Sequence, residues 1–300
     1  MSNAIQTVTK YLPYLDQVYA YASRSAILDT AGDLVRQTAD AKTVLIAKTS
    51  MDGLGDYDRN GEKGFVKGNV SLTWESHTLT NDRGRSFQID AMDDAETMGI
   101  AFGTLASEFL RTKVAPEIDA VRFSNYAIKA GLTKAGAISK DNAIEEIDAA
   151  VTEMKENEVD LTGAILFLTP TVYTAVKQSD KFSRPLTPGE NPNRNFGMYD
   201  GELLIVEVPQ SRFYKGVELS DGKTEGQEAG GFDPAAGAKE INFLIVTPAA
   251  VIQLTKHAKM RVFDPDTNQD ADAYKVDYRI YHDAWVLDNK VKGIYAHTKA

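Results

Sequence analysis

Residues 65–80 read Phe-Val-Lys-Gly-Asn-Val-Ser-Leu-Thr-Trp-Glu-Ser-His-Thr-Leu-Thr. Within them Val70, Leu72 and Trp74 alternate with polar residues, which is the two-residue period of a strand with one covered face. At about 3.3 Å per residue, an extended segment of this length reaches roughly 50 Å. Because compact enzymes seldom need such a length, the pattern predicts a long arm.

The segments on either side complete this arm, which spans residues 43–90. A β-branched run at 43–47 predicts a strand, and the glycine-rich stretch at 50–64 predicts a polar loop. Residues 81–84, Asn-Asp-Arg-Gly, predict a turn, after which a second alternating stretch follows. We therefore expect an extended β-hairpin loop.

A long helix is predicted from Asp93 to Ala130. Asp93 and Glu96 have the spacing of a capping box, and apolar residues then recur at helical spacing. Pro116 interrupts the pattern without ending the apolar stripe, so we expect a kink rather than a stop. At 1.5 Å per residue this helix is roughly 55 Å long, which is unusual for one globular domain.

Residues 138–256 predict a small α/β domain, because helical and strand patterns alternate there. An amphipathic helix and three apolar strands are expected at 144–154, 164–168, 203–208 and 243–246. Thr169 and Thr247 each follow a strand and precede a proline. Both threonines suit a helix N-cap, and both prolines suit the first helical position.

The chain ends in residues 257–300, which predict antiparallel strands at 259–263, 274–280 and 291–297. A meander of this kind needs cover for its apolar face. The long helix is the candidate for that cover.

Residues 1–42 read as an irregular terminal arm with a tyrosine-rich helical stripe at 11–19. Such a stripe must be covered by the body of its own chain or by a neighbour. The first ten residues lack the pattern of a secretory signal. The most apolar stretch, 243–254, is too short for a membrane helix, so no membrane association is expected.

Composition excludes several classes of protein. Hydrophobic residues at 43% and charged residues at 25% are globular values. A net charge of −10, from 33 basic and 43 acidic residues, disfavours a protein that mainly grips nucleic acid. The absence of cysteine from the sequence excludes a disulfide scaffold, a thiolate zinc site and a thiol nucleophile.

The best metal candidate is the run at 56–61, Asp-Tyr-Asp-Arg-Asn-Gly, which matches the opening of a calcium loop. Its twelfth position is Lys67, where a bidentate glutamate is needed. A second run at 264–272 fails in the same way at Lys275. Turn residues in solvated loops explain both runs, so no metal and no cofactor are predicted.

Catalytic patterns are equally weak. The four histidines are His77, His257, His282 and His297, and only His282-Asp283 offers an oriented imidazole. The sequence contains no nucleophile elbow and neither a Walker loop nor a dinucleotide-binding glycine pattern. We therefore expect a protein that is not an enzyme.

Several stretches resemble parts of one protein family. Residues 54–61, together with 70–80 and 82–93, resemble the extended loop and the start of the spine helix in capsid proteins from phages of Gram-positive hosts. Residues 108–119 resemble the spine helix, and residues 282–285 and 294–297 resemble the closing strands. By these motifs and by the order of its elements, the sequence resembles the major capsid protein of tailed bacteriophages, with the Hong Kong 97-type fold.

This resemblance implies an α+β fold with an N-terminal arm, an extended loop, a long spine helix, a peripheral antiparallel sheet and an inserted α/β axial domain. The implied boundaries are 1–42 for the N-terminal arm, 43–90 for the extended loop, and 91–137 for the spine helix with the peripheral domain. The axial domain would span 138–256, and the closing strands of the peripheral domain 257–300. No additional N-terminal helical region of about a hundred residues precedes them, so scaffolding is expected from a separate protein or from none.

The resemblance also implies a structural function. Copies of the chain would form the hexamers and pentamers of an icosahedral head that encloses double-stranded DNA without sequence-specific binding. Assembly is expected in the host cytoplasm, and the product belongs to the virion. A portal and a scaffolding or decoration protein are the other implied partners.

The arm supplies the candidate contacts between subunits, which are Asp56, Asp58 and Arg59 at its tip, Leu72 and Trp74 along it, and Arg83 and Arg85 near its base. The tip of one subunit is expected to pair with the base of the next. Two alternatives stay open at this point. One is an encapsulin-like nanocompartment shell, and the other is a compact α/β hydrolase.

Overall fold

The computed structural model describes residues 23–29, 35–37, 43–57, 59, 64–91, 108–179, 187–188 and 197–300. The chain divides into two compact units. We call Ala31–Asp82 the arm unit, and Met1–Thr30 with Arg83–Ala300 the body unit. The predicted tyrosine stripe at 11–19 and the predicted capping box at 93–96 lie outside the described residues.

The arm unit contains a three-stranded antiparallel sheet made of β1, Val35–Gln37, β2, Thr43–Met51, and β3, Val70–Thr78. β2 and β3 pair without a break from Thr43 opposite Thr78 to Met51 opposite Val70. The predicted strand at 43–47 is therefore confirmed and extends further. The predicted alternation at 70–74 is also a strand.

The first described element of the body unit is a 3₁₀ helix, Ser25–Leu28, and its first strand is β4. Its strands in chain order are β4 Asn81–Asp90, β5 Leu132–Ala135, β6 Ile165–Leu168, β7 Thr187–Pro188, β8 Gly197–Tyr199, β9 Leu203–Glu207, β10 Tyr214–Leu219, β11 Phe232–Val246, β12 Val251–Phe263, β13 Ala273–Val286 and β14 Ile294–Thr298. Its α-helices are α1 Ala115–Lys129, α2 Ala143–Glu156 and α3 Pro170–Gln178. The first two residues of β4 fall in the arm unit.

The turn predicted at 81–84 is wrong, because β4 already begins at Asn81. Gly84 lies inside this strand, next to β13. A Cβ at Gly84 would stand 2.9 Å from the carbonyl oxygen of Tyr278. The glycine therefore permits a close approach of two strands, which is a common role of glycine inside a strand.

The predicted long helix continues through Pro116. A π-helical turn, Leu110–Val114, leads directly into α1, and the N–H of Ala115 donates to the carbonyl of Leu110, five residues earlier. Pro116 has no N–H to donate, so a change of hydrogen-bond register beside it is expected. The part of the predicted helix before residue 108 lies outside the described residues.

β12 and β13 form a long antiparallel hairpin, and β4 adds to the β13 edge. The helix covers one face of this sheet. Val114 and Ile118 are buried against Met260, Val276 and Ile280. The prediction that the long helix covers the closing strands is confirmed.

A second sheet joins strands from distant parts of the chain in the order β5-β14-β11-β6-β9-β8-β7, with β10 added to β11. The predicted strand at 291–297 is found as β14, but its assignment to the closing meander is wrong. β14 pairs with β11 and β5 instead. A six-residue turn, Asp288–Gly293, separates it from β13, and local periodicity does not indicate which sheet the chain enters next.

Helices cover both faces of this second sheet, which explains why its inner strands β6 and β9 are almost continuously apolar. Ile165 and Phe167 face α1 through Phe123. The alternate residues of β6 face α2 and α3 instead. The predicted helix and strands of the α/β region are confirmed, whereas the boundaries proposed for the domains stay a prediction.

The two predicted threonine caps differ in outcome. Thr169 accepts a hydrogen bond from the Val172 N–H at 3.4 Å and caps α3. Thr247 does not cap the short 3₁₀ turn Pro248–Ala250. Its hydroxyl donates instead to the Gly293 carbonyl at 3.0 Å, so it ties β11 to the turn before β14.

A buried carboxylate holds the segment 23–29 against α1. Asp119 is fully buried and accepts hydrogen bonds from the Ser23 hydroxyl at 2.7 Å, the Arg24 N–H at 2.8 Å, and both the N–H and the hydroxyl of Ser25 at 3.0 and 2.7 Å. Arg212 adds a guanidinium at 3.1 Å. This set of donors compensates the cost of burying the charge.

We predict that Gly131→Ala destabilises the body unit by about 1–3 kcal/mol, the usual cost of overpacking. A Cβ at this position would lie 2.7 Å from the carbonyl carbon of Val291, whose oxygen accepts the Gly131 N–H. Urea denaturation measures the loss. Gly53→Ala is the control, because its Cβ meets nothing within 4 Å; equal midpoints for the two variants would contradict the prediction.

Asp119→Asn should cost about 3 kcal/mol, the low end for removing one partner of a buried charge network. The amide group directs a donor at groups that also donate. Thermal unfolding measures the loss, and trypsin cleavage after Arg24 should accelerate because the segment 23–29 is released. Asp141→Asn, at an exposed position, is the control. An unchanged melting temperature and cleavage rate would show that Asp119 does not hold this segment.

Candidate inter-subunit surface

The loop that joins β2 to β3 has a closed neck. The Asp52 N–H donates to the Asn69 carbonyl at 3.1 Å, and the Asp52 carboxylate accepts the Asn69 N–H at 2.7 Å. These bonds continue the ladder one step past Met51 and Val70. The loop beyond the neck is therefore held at both of its ends.

Two glycines make room for apolar side chains at the tip of this loop. Gly64 has a φ of +52°, and a Cβ there would lie 3.0 Å from the Tyr57 ring. A Cβ at Gly55 would lie 3.1 Å from Val66. The Tyr57 and Phe65 rings meet edge to face at 4.7 Å between centroids. The glycine-rich sequence therefore builds a loop with packed aromatic residues.

Most apolar side chains in the described arm unit are nevertheless open to solvent. Leu54 is fully exposed and Phe65 is 81% exposed. The other large exposed ones are Met51, Tyr57, Val66, Val70, Leu72 and Trp74. Exposed apolar groups concentrated in one region are typical of an interaction surface.

The register of β2 and β3 places four of these side chains, Met51, Val70, Leu72 and Trp74, on one face. Met51 stands opposite Val70, and Trp74 stands opposite Ala47, so these residues with Leu72 form what we call the apolar arm face. The other face carries an ion pair between Lys48 and Glu75 at 3.0 Å. A β-sheet with one apolar face in solvent has the arrangement expected of a surface that another chain covers.

The structure separates the charged residues that the sequence grouped together. Asp56 and Arg59 are exposed, and Asp58 lies outside the described residues. Arg83 already has a partner in its own chain, because its Nε lies 2.7 Å from Glu117 Oε1. Arg85 is exposed and donates to the Glu228 carbonyl at 3.0 Å. A role of these residues in contacts between subunits stays a prediction.

A cavity that sequence analysis missed lies in the body unit, between β4, the helix and the loop 220–231. It has a volume of about 420 Å³, and we call it the base cavity. Phe87, Phe109 and Tyr278 form its aromatic floor, with ring centroids 4.8 and 5.9 Å apart. The exposed residues Arg85 and Lys113 also line it, as do Glu108, Glu117 and Asp221. Only tertiary structure joins these residues, so no local sequence signal could reveal the cavity.

The candidate catalytic histidine is part of the core. His282 is 1% exposed, and burial, together with the positive charge of Arg122, lowers its pKa to about 3. It is neutral at physiological pH and has no access to a substrate.

The candidate metal loop near the C-terminus is stabilised by the chain itself, because Asp270 pairs with Lys275 at 2.7 Å. Across the described ranges, no group of three or more histidine or acidic residues is arranged to hold a metal ion. None of the helices described in the structure is long and apolar enough to cross a membrane.

Comparison with solved structures identifies similar chains in phage capsids. A chain of the head of the Helicobacter pylori bacteriophage KHP40 has a TM-score of 0.58 at 13% identity, covering 93% of this chain and 90% of its own. A chain of the mature capsid of bacteriophage PhiM1 has a TM-score of 0.56 at 15% identity, covering 88% and 83%. A chain of the capsid of the cyanophage P-SCSP1u has a TM-score of 0.56 at 14% identity, covering 91% and 86%.

No protein-family model matches the sequence, and no curated protein matches it. At identities of 13–15%, a likeness over most of both chains shows a shared fold. The mixed α+β class is confirmed. The chain therefore has the fold of the phage capsid chains to which it is similar.

Proposed function

We propose that this protein is the major capsid protein of a tailed phage, with the Hong Kong 97-type fold, and that its copies build the icosahedral head. The observation that carries the proposal is the apolar arm face, which its own chain leaves in solvent. The capsid fold supports it, because the similar chains belong to assembled shells. In this proposal Leu72 and Trp74 are covered by a neighbouring subunit.

The free energy gained by burying the exposed apolar side chains is sufficient for assembly. Fully burying one large apolar side chain contributes about 1.5–3 kcal/mol, and the apolar arm face and the loop tip together expose eight of them. A closed symmetric shell repeats each contact many times, and multivalency multiplies weak contacts. Modest burial per neighbour therefore suffices for a stable particle.

The charge of the chain favours a container over a DNA-binding protein. A net charge of −10 disfavours tight adhesion to DNA phosphates, so the shell would enclose DNA without sequence-specific binding. A structural role in the virion, assembly in the host cytoplasm, and contacts with a portal and a scaffolding or decoration protein belong to this proposal.

The second candidate is an encapsulin-like nanocompartment, since a shell of this fold would suit either cargo. Its contents separate the two functions. Native particles purified from the source and treated with nuclease should retain protected double-stranded DNA. Particles that contain protein and no DNA would favour the nanocompartment.

The expressed chain should form closed shells tens of nanometres wide. Electron microscopy and sedimentation velocity measure this directly. A monomer at all concentrations, active in hydrolase assays, would contradict the proposal and favour the compact hydrolase.

We predict that the double substitution Leu72→Ser and Trp74→Ser leaves a folded subunit that assembles poorly. The two side chains are 57% and 43% exposed, so their loss costs the subunit little of its own stability. Burial lost at every contact should raise the concentration needed for assembly at least about tenfold, since each 1.4 kcal/mol is a factor of ten. Circular dichroism checks the fold, and sedimentation checks assembly.

Ile128→Ser is the matched control. Ile128 is 52% exposed, but it lies on α1, outside the apolar arm face. Its substitution should leave the assembly concentration near that of the wild type. Equal effects from the control and the double variant would remove the special role given to the apolar arm face.

A further inference from the structure

His297 on β14 lies at the point where β14, β11, β5 and α2 meet. It is fully buried, and its ring stacks on Phe243 of β11 with 4.9 Å between centroids. Lys134 of β5 stands opposite it in the parallel register, and Glu146 Oε2 of α2 lies 3.6 Å from its Nε2. β5 is the terminal strand in the order of this sheet and pairs with β14, so the surroundings of His297 affect how β5 is held.

The amide of Asn242 fixes the protonation of this ring. Its Nδ2 donates to the carbonyl of Gly136, just after β5, at 3.0 Å and also lies 3.0 Å from His297 Nδ1. Because an amide nitrogen only donates, Nδ1 is the unprotonated acceptor, and the ring proton resides on Nε2. The side chain of Asn242 thereby joins β11, β14 and the end of β5.

A second proton on the ring is incompatible with these contacts. It would bind at Nδ1 and direct an N–H at the amide nitrogen of Asn242, so that two donors would face each other. The amide can accept this proton only by turning its oxygen toward the ring, which breaks its bond to the Gly136 carbonyl. The end of β5 would then lose this tie to β11.

We propose that His297 is an acid-sensitive latch for β5, which holds the strand while the ring is neutral and releases it when Nδ1 takes a proton from solvent. β5 joins the end of α1 to the segment that leads into α2, so its release loosens the connection between these two helices. The latch lies within one chain, and it therefore does not depend on the proposed shell function.

The charges around the ring set the pH at which the latch opens. Burial is the main cause that lowers the pKa of His297. The carboxylate of Glu146 acts in the opposite direction, whereas the positive charge of Lys134 adds to the lowering. Lys134 Nζ lies 2.6 Å from Glu146 Oε2, so it also offsets the carboxylate that would favour a charged ring.

The other groups against the ring do not respond between neutral and mildly acidic pH. On β11 the contacting side chains are Asn242 and Phe243, which do not titrate. On β14, Tyr295 stays neutral because burial raises its pKa to about 12. Since the folded-state pKa of His297 lies below the usual 6.5, the opened state binds a proton more tightly. Protection is therefore complete at neutral pH and falls as the pH drops below about 6.5.

Hydrogen exchange, measured by mass spectrometry on peptides that contain β5, tests the latch. From about pH 7 to about pH 5, after correction for the intrinsic exchange rate, the protection of β5 should fall by up to about tenfold per pH unit, because opening takes up one proton. His297→Gln offers an acceptor to Asn242 but cannot titrate, so it should remove this pH dependence. His257→Gln is the matched control, because His257 is exposed on β12 and should leave the pH dependence unchanged.

Two charge variants should move the opening pH in opposite directions, which a purely structural role would not do. Lys134→Gln removes the cation that offsets Glu146, so the pKa of His297 should rise and β5 should open at a higher pH. Glu146→Gln removes the carboxylate, so the pKa should fall and opening should require a lower pH. Both side chains are partly exposed, and we expect both variants to fold.

Equal pH dependence in the wild type and in His297→Gln would overturn the latch, because other groups would then account for the opening. Shifts of the same sign in the two charge variants would overturn it as well. If His297→Gln does not fold, the two charge variants decide the question by themselves. None of these results bears on shell assembly, and a wild-type chain that forms no particles would refute the proposed function while leaving the latch intact.

Discussion

The body unit depends on burying one helix on nearly every side. α1 packs through Phe123 on the sheet that contains β6 and β11 and through Ile118 on the β12–β13 hairpin, so the polar residues Asp119, Arg122 and Ser124 are also buried. The segment 23–29 supplies donors and acceptors to both Asp119 and Arg122, and Arg212 adds a second cation to Asp119, so the burial of these two charges is compensated. The helix thereby links two sheets and an N-terminal segment into one core.

The arm unit differs from the body unit, because most of its large apolar side chains are exposed. Its apolar face and loop tip stay in solvent, although its own hydrogen bonds and glycine-dependent packing give the loop a definite form. A chain that buries its body thoroughly and leaves its arm apolar and open can lower its free energy further only by association. The proposed assembly into a shell would bury these exposed side chains.

Ion pairs within the chain determine which cations remain available for contacts with another molecule. Arg83 was expected to contact a neighbour, but Glu117 neutralises it within the chain, whereas Arg85 and Lys113 keep uncompensated charge beside an apolar floor. A cation that already has an anionic partner attracts a second anion weakly, whereas an unpaired cation keeps its attraction for one. Paired and unpaired cations look alike in the sequence, so geometry alone identifies the second group.

The sequence by itself determined the local elements of this protein. Period-two alternation predicted β3, the apolar stripe predicted a helix that continues through Pro116, and the Thr-Pro pair predicted the start of α3, because backbone preference and one-sided burial act over a few residues. Tertiary structure alone decided that β14 pairs with β11 and β5, that Gly84 is a strand residue and that Asp119 is a buried anchor. Each of these depends on groups far apart in the chain, whose contacts arise from packing and leave no periodic trace in the residues themselves.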